Sequence, residues 1–180
     1  MRLFYALNFS PRTCSRLISL RDELKIASYQ GSFTLDDNLH LTLVFLGECD
    51  QRKTATAINL LAELDCAAQT ICFDRVGCFR RADGDIWWAG VRESKALNEL
   101  YREMVKQLSQ TGFQVESRRY MPHITLGREI ICAIQPHAID PFYEQVTSLE
   151  LMKSERRQGV LTYTPIHSKP FSLDSNLDCI

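Results

Sequence analysis

The sequence predicts two pseudo-symmetric lobes of strands and helices, folded as one α+β domain over residues 1–180. Three observations predict it. Two His-x-Thr-Leu segments occur, HLTL at His40 and HITL at His123. Each follows an aromatic strand and a helix-spaced stretch in the same order. The spacing repeats as well, since Phe4 to His40 and Trp87 to His123 are both 36 residues. Phe4-Tyr5-Ala6-Leu7 thereby corresponds to Trp87-Trp88-Ala89-Gly90, and the duplicated unit of strand, helix, extended piece and His-x-Thr strand lies around 3–47 and 86–128. Each copy needs helices to bury one sheet face. No Pro/Gly linker separates them.

The elements follow from local signals. LFYALNF at 3–9 reads as a strand. Ser10-Pro11 supplies a side-chain cap and a proline for the first helical position. Cys14, Leu17, Ile18, Leu20, Leu24 and Ala27 then recur mostly at helical spacing, until Tyr29 to Gly31 ends the element. Residues 39–46 form a strand closed by Gly47, and Asp50 caps a helix over 51–65. Residues 70–79 are extended and end at the turn RRADGD, and IWWAGV at 86–91 is a strand. A helix over 94–111 carries Leu97, Leu100, Tyr101, Met104, Val105 and Leu108 on one stripe, with Gly112 at its C-terminal end. Residues 113–117, 123–128, 145–152 and 160–166 read as extended, the last two separated by SERRQG, and the tail from Phe171 as only partly ordered.

Composition narrows the function classes. The 21 Lys plus Arg nearly balance 22 Asp plus Glu, a net charge of -1, which argues against a long non-specific grip on nucleic acid but permits a local basic cleft. Seven cysteines, an odd number without a CxxC pair, read as reduced thiols of a cytoplasmic protein rather than a disulfide framework. They lack zinc spacing, and no metal or other cofactor is expected. The sequence reads as having neither a signal peptide nor a membrane span.

The paired motifs carry the chemistry. Strand side chains alternate, so His40 and Thr42 share one face against Leu41 and Leu43, and His123 and Thr125 share one against Ile124 and Leu126. Two imidazoles and two hydroxyls then face one cleft. Histidine titrates near pH 6.5, so one ring can take a proton from a nucleophile while the other gives one to a leaving oxygen. The hydroxyls suit non-bridging phosphoryl oxygens, and displacement at phosphorus is the reaction this pattern fits. Arg128 is the candidate cation for the developing charge. Its counterpart by spacing is Phe45, read equally as a base platform or a core residue. Strict alternation puts Arg128 opposite His123 unless Gly127 bends or ends the strand.

RLFYAL at Arg2, NLHLTLVFLGE at Asn38, WWAGV at Trp87, PHITLGR at Pro122, GVLTYTPI and KPFSL span nearly the whole chain. In these pieces the chain resembles the two-histidine (2H) phosphoesterase superfamily, and within it the bacterial and archaeal RNA 2',3'-cyclic phosphodiesterases, long called 2'-5' RNA ligases. The resemblance implies antiparallel sheets with outer helices around a central cleft, and opening of a terminal 2',3'-cyclic phosphate to a 2'-phosphate. It implies His40 as the general acid toward ribose O3', His123 as the base that activates water, and Thr42, Thr125 and Arg128 as phosphate contacts. The roles swap in reverse, where a cyclic phosphate joins a 5'-hydroxyl end. The expected partners are RNA ends, including tRNA fragments, or small cyclic nucleotides, met by a monomer that touches no membrane. Two rival readings keep the motifs: a phosphodiesterase for 2'-5' oligonucleotides or small cyclic nucleotides, and a tRNA-end binding protein with little turnover.

Other residues have blander readings. Phe4, Tyr5, Trp87 and Trp88 suit either base stacking or packing at the lobe interface, and packing is the expectation, with the two rings of each pair pointing to opposite faces. His137 and His167 are expected at the surface. Arg75, Arg80, Arg81, Arg118, Arg119, Arg156 and Arg157 are expected in or near turns.

Overall fold

The structure, a computed structural model, describes residues 1–115 and 119–172. Arg118, Cys179 and most of the tail after Phe171 lie outside the described residues. The elements run β1 (Arg2–Leu7), α1 (Pro11–Ile26), β2 (Ser28–Phe33), β3 (Leu41–Glu48), α2 (Gln51–Glu63), β4 (Gln69–Phe79), β5 (Asp85–Val91), α3 (Lys95–Gln110), β6 (His123–Cys132), β7 (His137–Val146), β8 (Ser148–Arg157) and β9 (Val160–Pro170). They form an α+β fold of two antiparallel sheets with outer helices. One sheet has the order β3-β1-β8-β9, the other β2-β6-β5-β4-β7.

The helix starts follow their caps. Ser10, Asp50 and Ser94 each accept from a backbone N–H three residues on, that of Thr13, Lys53 and Leu97 respectively, which satisfies a donor the first turn leaves open. Gly112, at φ 84°, takes the left-handed position just past α3, where a side chain would be strained. α3 buries Leu97, Leu100, Met104 and Leu108, the stripe read from the sequence.

The two halves are interlocked. β2 follows β1 of the first sheet but pairs with β6 of the second. α1 likewise packs on β2, β6 and β7, while α3, which follows β5, reaches back to β3. One core of Leu, Ile, Val and aromatic side chains therefore runs through both sheets, including Tyr5, Leu17, Phe73, Trp87, Leu100 and Ile124.

Two parts of the sequence reading need correction. The segment read as extended at 145–152 contains the end of β7 and the start of β8. β7 itself was missed because it is an edge strand with most of its side chains exposed, and Pro141 interrupts it. SERRQG is not a loop: β8 continues through Arg157, and only Gln158 and Gly159, both at positive φ, make the two-residue turn into β9. Arg75 and Arg156 accordingly stand in strands rather than turns.

Candidate active site

The site lies where β3 approaches β6 across the junction of the two sheets. His40 stands immediately before β3, and His123 opens β6. Both rings are held by the same device. His40 Nδ1 lies 2.8 Å from the carbonyl of Asn38, and His123 Nδ1 lies 2.6 Å from the carbonyl of Met121. A carbonyl only accepts, so each Nδ1 carries hydrogen, and Nε2 is the nitrogen that exchanges a proton. His40 Nε2 is 3.0 Å from Thr42 Oγ1, whose hydroxyl donates to it when the ring is neutral.

The surroundings of the two rings differ. His40 sits among aromatics, 5.0 Å from the Phe4 ring and edge-on to Tyr163 at 4.9 Å. Burial pushes its pKa down to about 4; the bond to Asn38 opposes this, and neighbouring His123 adds to it. His40 is therefore neutral near pH 7. His123 meets Phe79 edge-on at 5.1 Å and Trp88 at 6.2 Å. Trp88 lies over Gly77 and Gly90, and a Cβ at Gly90 would come 2.8 Å from its ring. These glycines let the indole lie flat beneath the cleft.

A matching irregularity sets what else faces the cleft. Ala6 pairs with Thr42 and Tyr5 with Val44, so Leu43 is an extra residue in β3. Trp88 pairs with Thr125 and Trp87 with Gly127, so Leu126 is an extra residue in β6. Such a bulge shifts the alternation by one. Phe45 is thereby turned out at 49% exposure, 5.5 Å from the Phe4 ring, on the face of His40 and Thr42. Arg128 likewise comes to the exposed side with His123 and Thr125, while Leu126 and Gly127 are buried. Strict alternation placed Arg128 on the opposite face, and the bulge at Leu126 corrects that. Gly127 also matters, since a Cβ there would meet Ile130 at 2.8 Å and the Ser32 carbonyl at 3.1 Å. Burial raises the Tyr163 phenol pKa, and Arg128 and Arg2 pull against it, so both cations act on the side of the cleft that holds His40.

The same registers move the correspondence between halves by one residue. Tyr5 matches Trp87 and Ala6 matches Trp88, not Phe4 with Trp87. The rings of each pair do point to opposite faces. Tyr5 and Trp87 enter the core, whereas Phe4 and Trp88 form the floor beside the histidines rather than an interface core. Tyr163 and Phe79 are site residues for which the sequence carried no assigned role, and Trp88 borders His123 rather than filling the lobe interface. Tyr163 lies in the quoted GVLTYTPI segment, which was the available signal. His137 is exposed and His167 half-buried, neither within a repeated motif. Among the described residues, no three His, Cys, Asp or Glu side chains group as metal ligands.

A family model, the 2'-5' RNA ligase superfamily, matches residues 10–157. The chain belongs to this superfamily of 2H phosphoesterases. Within it, an Escherichia coli RNA 2',3'-cyclic phosphodiesterase is 30% identical over 168 residues, 92% of this chain and 93% of that protein. One from Thermotoga maritima is 30% identical over 131 residues, 71% and 70% of the two chains. The crystal structure of E. coli LigT complexed with 3'-AMP superposes with a TM-score of 0.82 at 26% identity, covering 95% of this chain and 98% of that one. A Thermus thermophilus structure shares the fold at a TM-score of 0.84 and 21% identity, over 97% and 100% of the chains. This 2H phosphoesterase therefore has the family's two-sheet frame along nearly its whole length.

Proposed function

We propose that this chain hydrolyses the 2',3'-cyclic phosphate at an RNA end to a 2'-phosphate, using two histidines and no metal. The observation that carries the reading is the mirrored pinning of both imidazoles through Nδ1, which leaves Nε2 as the proton-exchanging nitrogen of two rings near enough to interact electrostatically. His123 takes a proton from water as it attacks phosphorus, and His40 gives one to O3' as that bond breaks. Burial keeps His40 neutral near pH 7, so the negative charge of a bound phosphate must raise its proton affinity before it can act as the acid. Thr42, Thr125 and Arg128 hold the non-bridging oxygens, and Phe45 offers a face to the terminal base.

The nucleotide and phosphate complexes of E. coli LigT support a nucleotide end as the ligand class. RNA ends, tRNA fragments among them, fit a site built around one phosphate. The six described cysteines are free thiols, which fits the reducing cytoplasm.

The test is a short RNA ending in a 2',3'-cyclic phosphate, incubated in EDTA and resolved by product isomer. The expected result is accumulation of the 2'-phosphate, lost in His40→Ala and in His123→Ala. A 3'-phosphate product, or turnover that survives either change, would overturn the mechanism. Tight RNA binding without turnover would favour an end-binding protein instead.

A further inference from the structure

A groove of about 630 Å³ opens from His123 and is not used by the hydrolysis described above. That volume lies within the roughly 300–1,000 Å³ of ordinary ligand clefts. All its lining residues fall between Arg75 and His123 in the sequence, so none comes from the Phe45 and Tyr163 side of the cleft. Its floor is the Trp88 indole. The Arg75 guanidinium lies 6.0 Å over that ring and is itself anchored by Asp74 and the Val91 carbonyl. One wall is the stacked pair Tyr101 and Tyr120, with ring centroids 4.2 Å apart and planes within 7°. Tyr120 donates to the Thr42 carbonyl at 3.2 Å, which ties this wall to the opposite His-x-Thr strand. Arg102 and Arg119 are exposed at the groove, and neither forms an ion pair with another described residue. Glu93 is the only acidic residue among those that line it.

A positively charged, aromatic-floored groove suits a nucleotide: cations take the phosphate and a π face takes the base. Its position selects which nucleotide. The groove begins at the histidine that faces the incoming nucleophile, not at the one that faces O3'. We propose that it is the subsite for a second RNA end, the nucleoside whose 5'-hydroxyl replaces water, with Arg102 and Arg119 holding that nucleoside's 3'-phosphate. This rests on the reading of His123 as the base. In the joining direction O5' attacks phosphorus and loses its proton to His123. The P–O5' bond forms, the P–O3' bond breaks, and O3' receives a proton from His40. Cleavage of a 2'-5' linkage runs the same steps backward, O3' attacking and O5' leaving. Groove occupancy then decides whether a cyclic phosphate meets water or a ribose hydroxyl.

The test compares the wild type with Arg102→Glu/Arg119→Glu on three substrates. The first is an RNA ending in a 2',3'-cyclic phosphate. The second is a 2'-5'-linked dinucleoside monophosphate. The third is the same 2'-5' junction extended by one 3'-5'-linked nucleotide, which adds the phosphate the arginines are to hold. The expected result is about a tenfold or greater loss of kcat/KM on the third substrate, mainly through KM, with changes under about twofold on the other two. Equal losses on all three, or none on the third, would overturn the subsite. So would a wild type that hydrolyses the cyclic end but leaves the 2'-5' linkages intact. A wild type inactive on the cyclic end would instead overturn the reading of the site, and the subsite with it. Both arginines are exposed, and an unchanged thermal midpoint in the variant checks the fold.

Discussion

The two sides of the cleft are built alike and furnished differently. Each has a His-x-Thr strand, a histidine pinned through Nδ1 to the carbonyl two residues back, and one extra residue after the threonine. Yet His40 stands among Phe4, Phe45 and Tyr163, whereas His123 borders Phe79, Trp88 and a groove rimmed by arginines. The backbone fixes which nitrogen exchanges a proton; the surroundings fix how readily it does so and what it meets. The two sides therefore hold their imidazoles in the same way but set them in unlike surroundings.

The largest effect that would break this comparison comes from the histidines themselves. His40→Ala and His123→Ala should each lower kcat on a cyclic-phosphate RNA by about 10²–10⁴-fold. The double variant should be little worse than either single one, because the two act as a unit. A large loss from only one of them would mean that the sides are not a pair.

Arg128→Ala should come next, with a loss of about 10²-fold in kcat from removing a positioned cation at the phosphate. Phe45→Ala, at the matching place on the other side, should instead weaken substrate binding, by roughly 1–3 kcal/mol if the ring stacks the base. Steady-state kinetics separates the two. Equal effects on kcat from both would show that the sides do not differ as described.

The third effect is on stability. An unfolded histidine titrates near pH 6.5, whereas His40 in the fold titrates at about 4. Between these values the unfolded chain holds the extra proton, so protonation favours unfolding as the pH falls. Stability should therefore decline from about pH 6.5 to about pH 4, by on the order of 2–3 kcal/mol, and level off below. His40→Asn should flatten that part of the denaturant-midpoint profile. A profile unchanged by the substitution would show that His40 is not held neutral by burial.

Thr42→Val should give the smallest change. It removes the hydroxyl that donates to His40 Nε2, worth about 1 kcal/mol. It should also let the His40 pKa rise, which a shift of the acidic limb of the pH–rate profile would report. Nothing comparable is expected on that limb from Thr125→Val.

The repeated His-x-Thr-Leu segments, the capped helices and the α3 stripe were legible because each rests on a local period or a cap a few residues long. β7 was not, since an edge strand containing Pro141 buries too few of its side chains to impose alternation. Nor was the correct correspondence between halves, because equal spacing of 36 residues matched Phe4 with Trp87 while the ladders match Tyr5 with Trp87.

The sequence by itself determined the family, the α+β frame and the groups on which the proposed chemistry rests: two imidazoles, two hydroxyls and a cation in repeated context. Tertiary structure decided their aim. Leu43 and Leu126 become extra residues only when β3 and β6 pair with β1 and β5, and only those pairings turn Phe45 and Arg128 toward the cleft. It also decided the crossing of β2 and α1 to the second sheet, the depth that holds His40 neutral, and the groove beyond His123. The reason is physical. Side-chain identity is local, whereas register, burial and cavity shape are set by contacts between segments far apart in the chain.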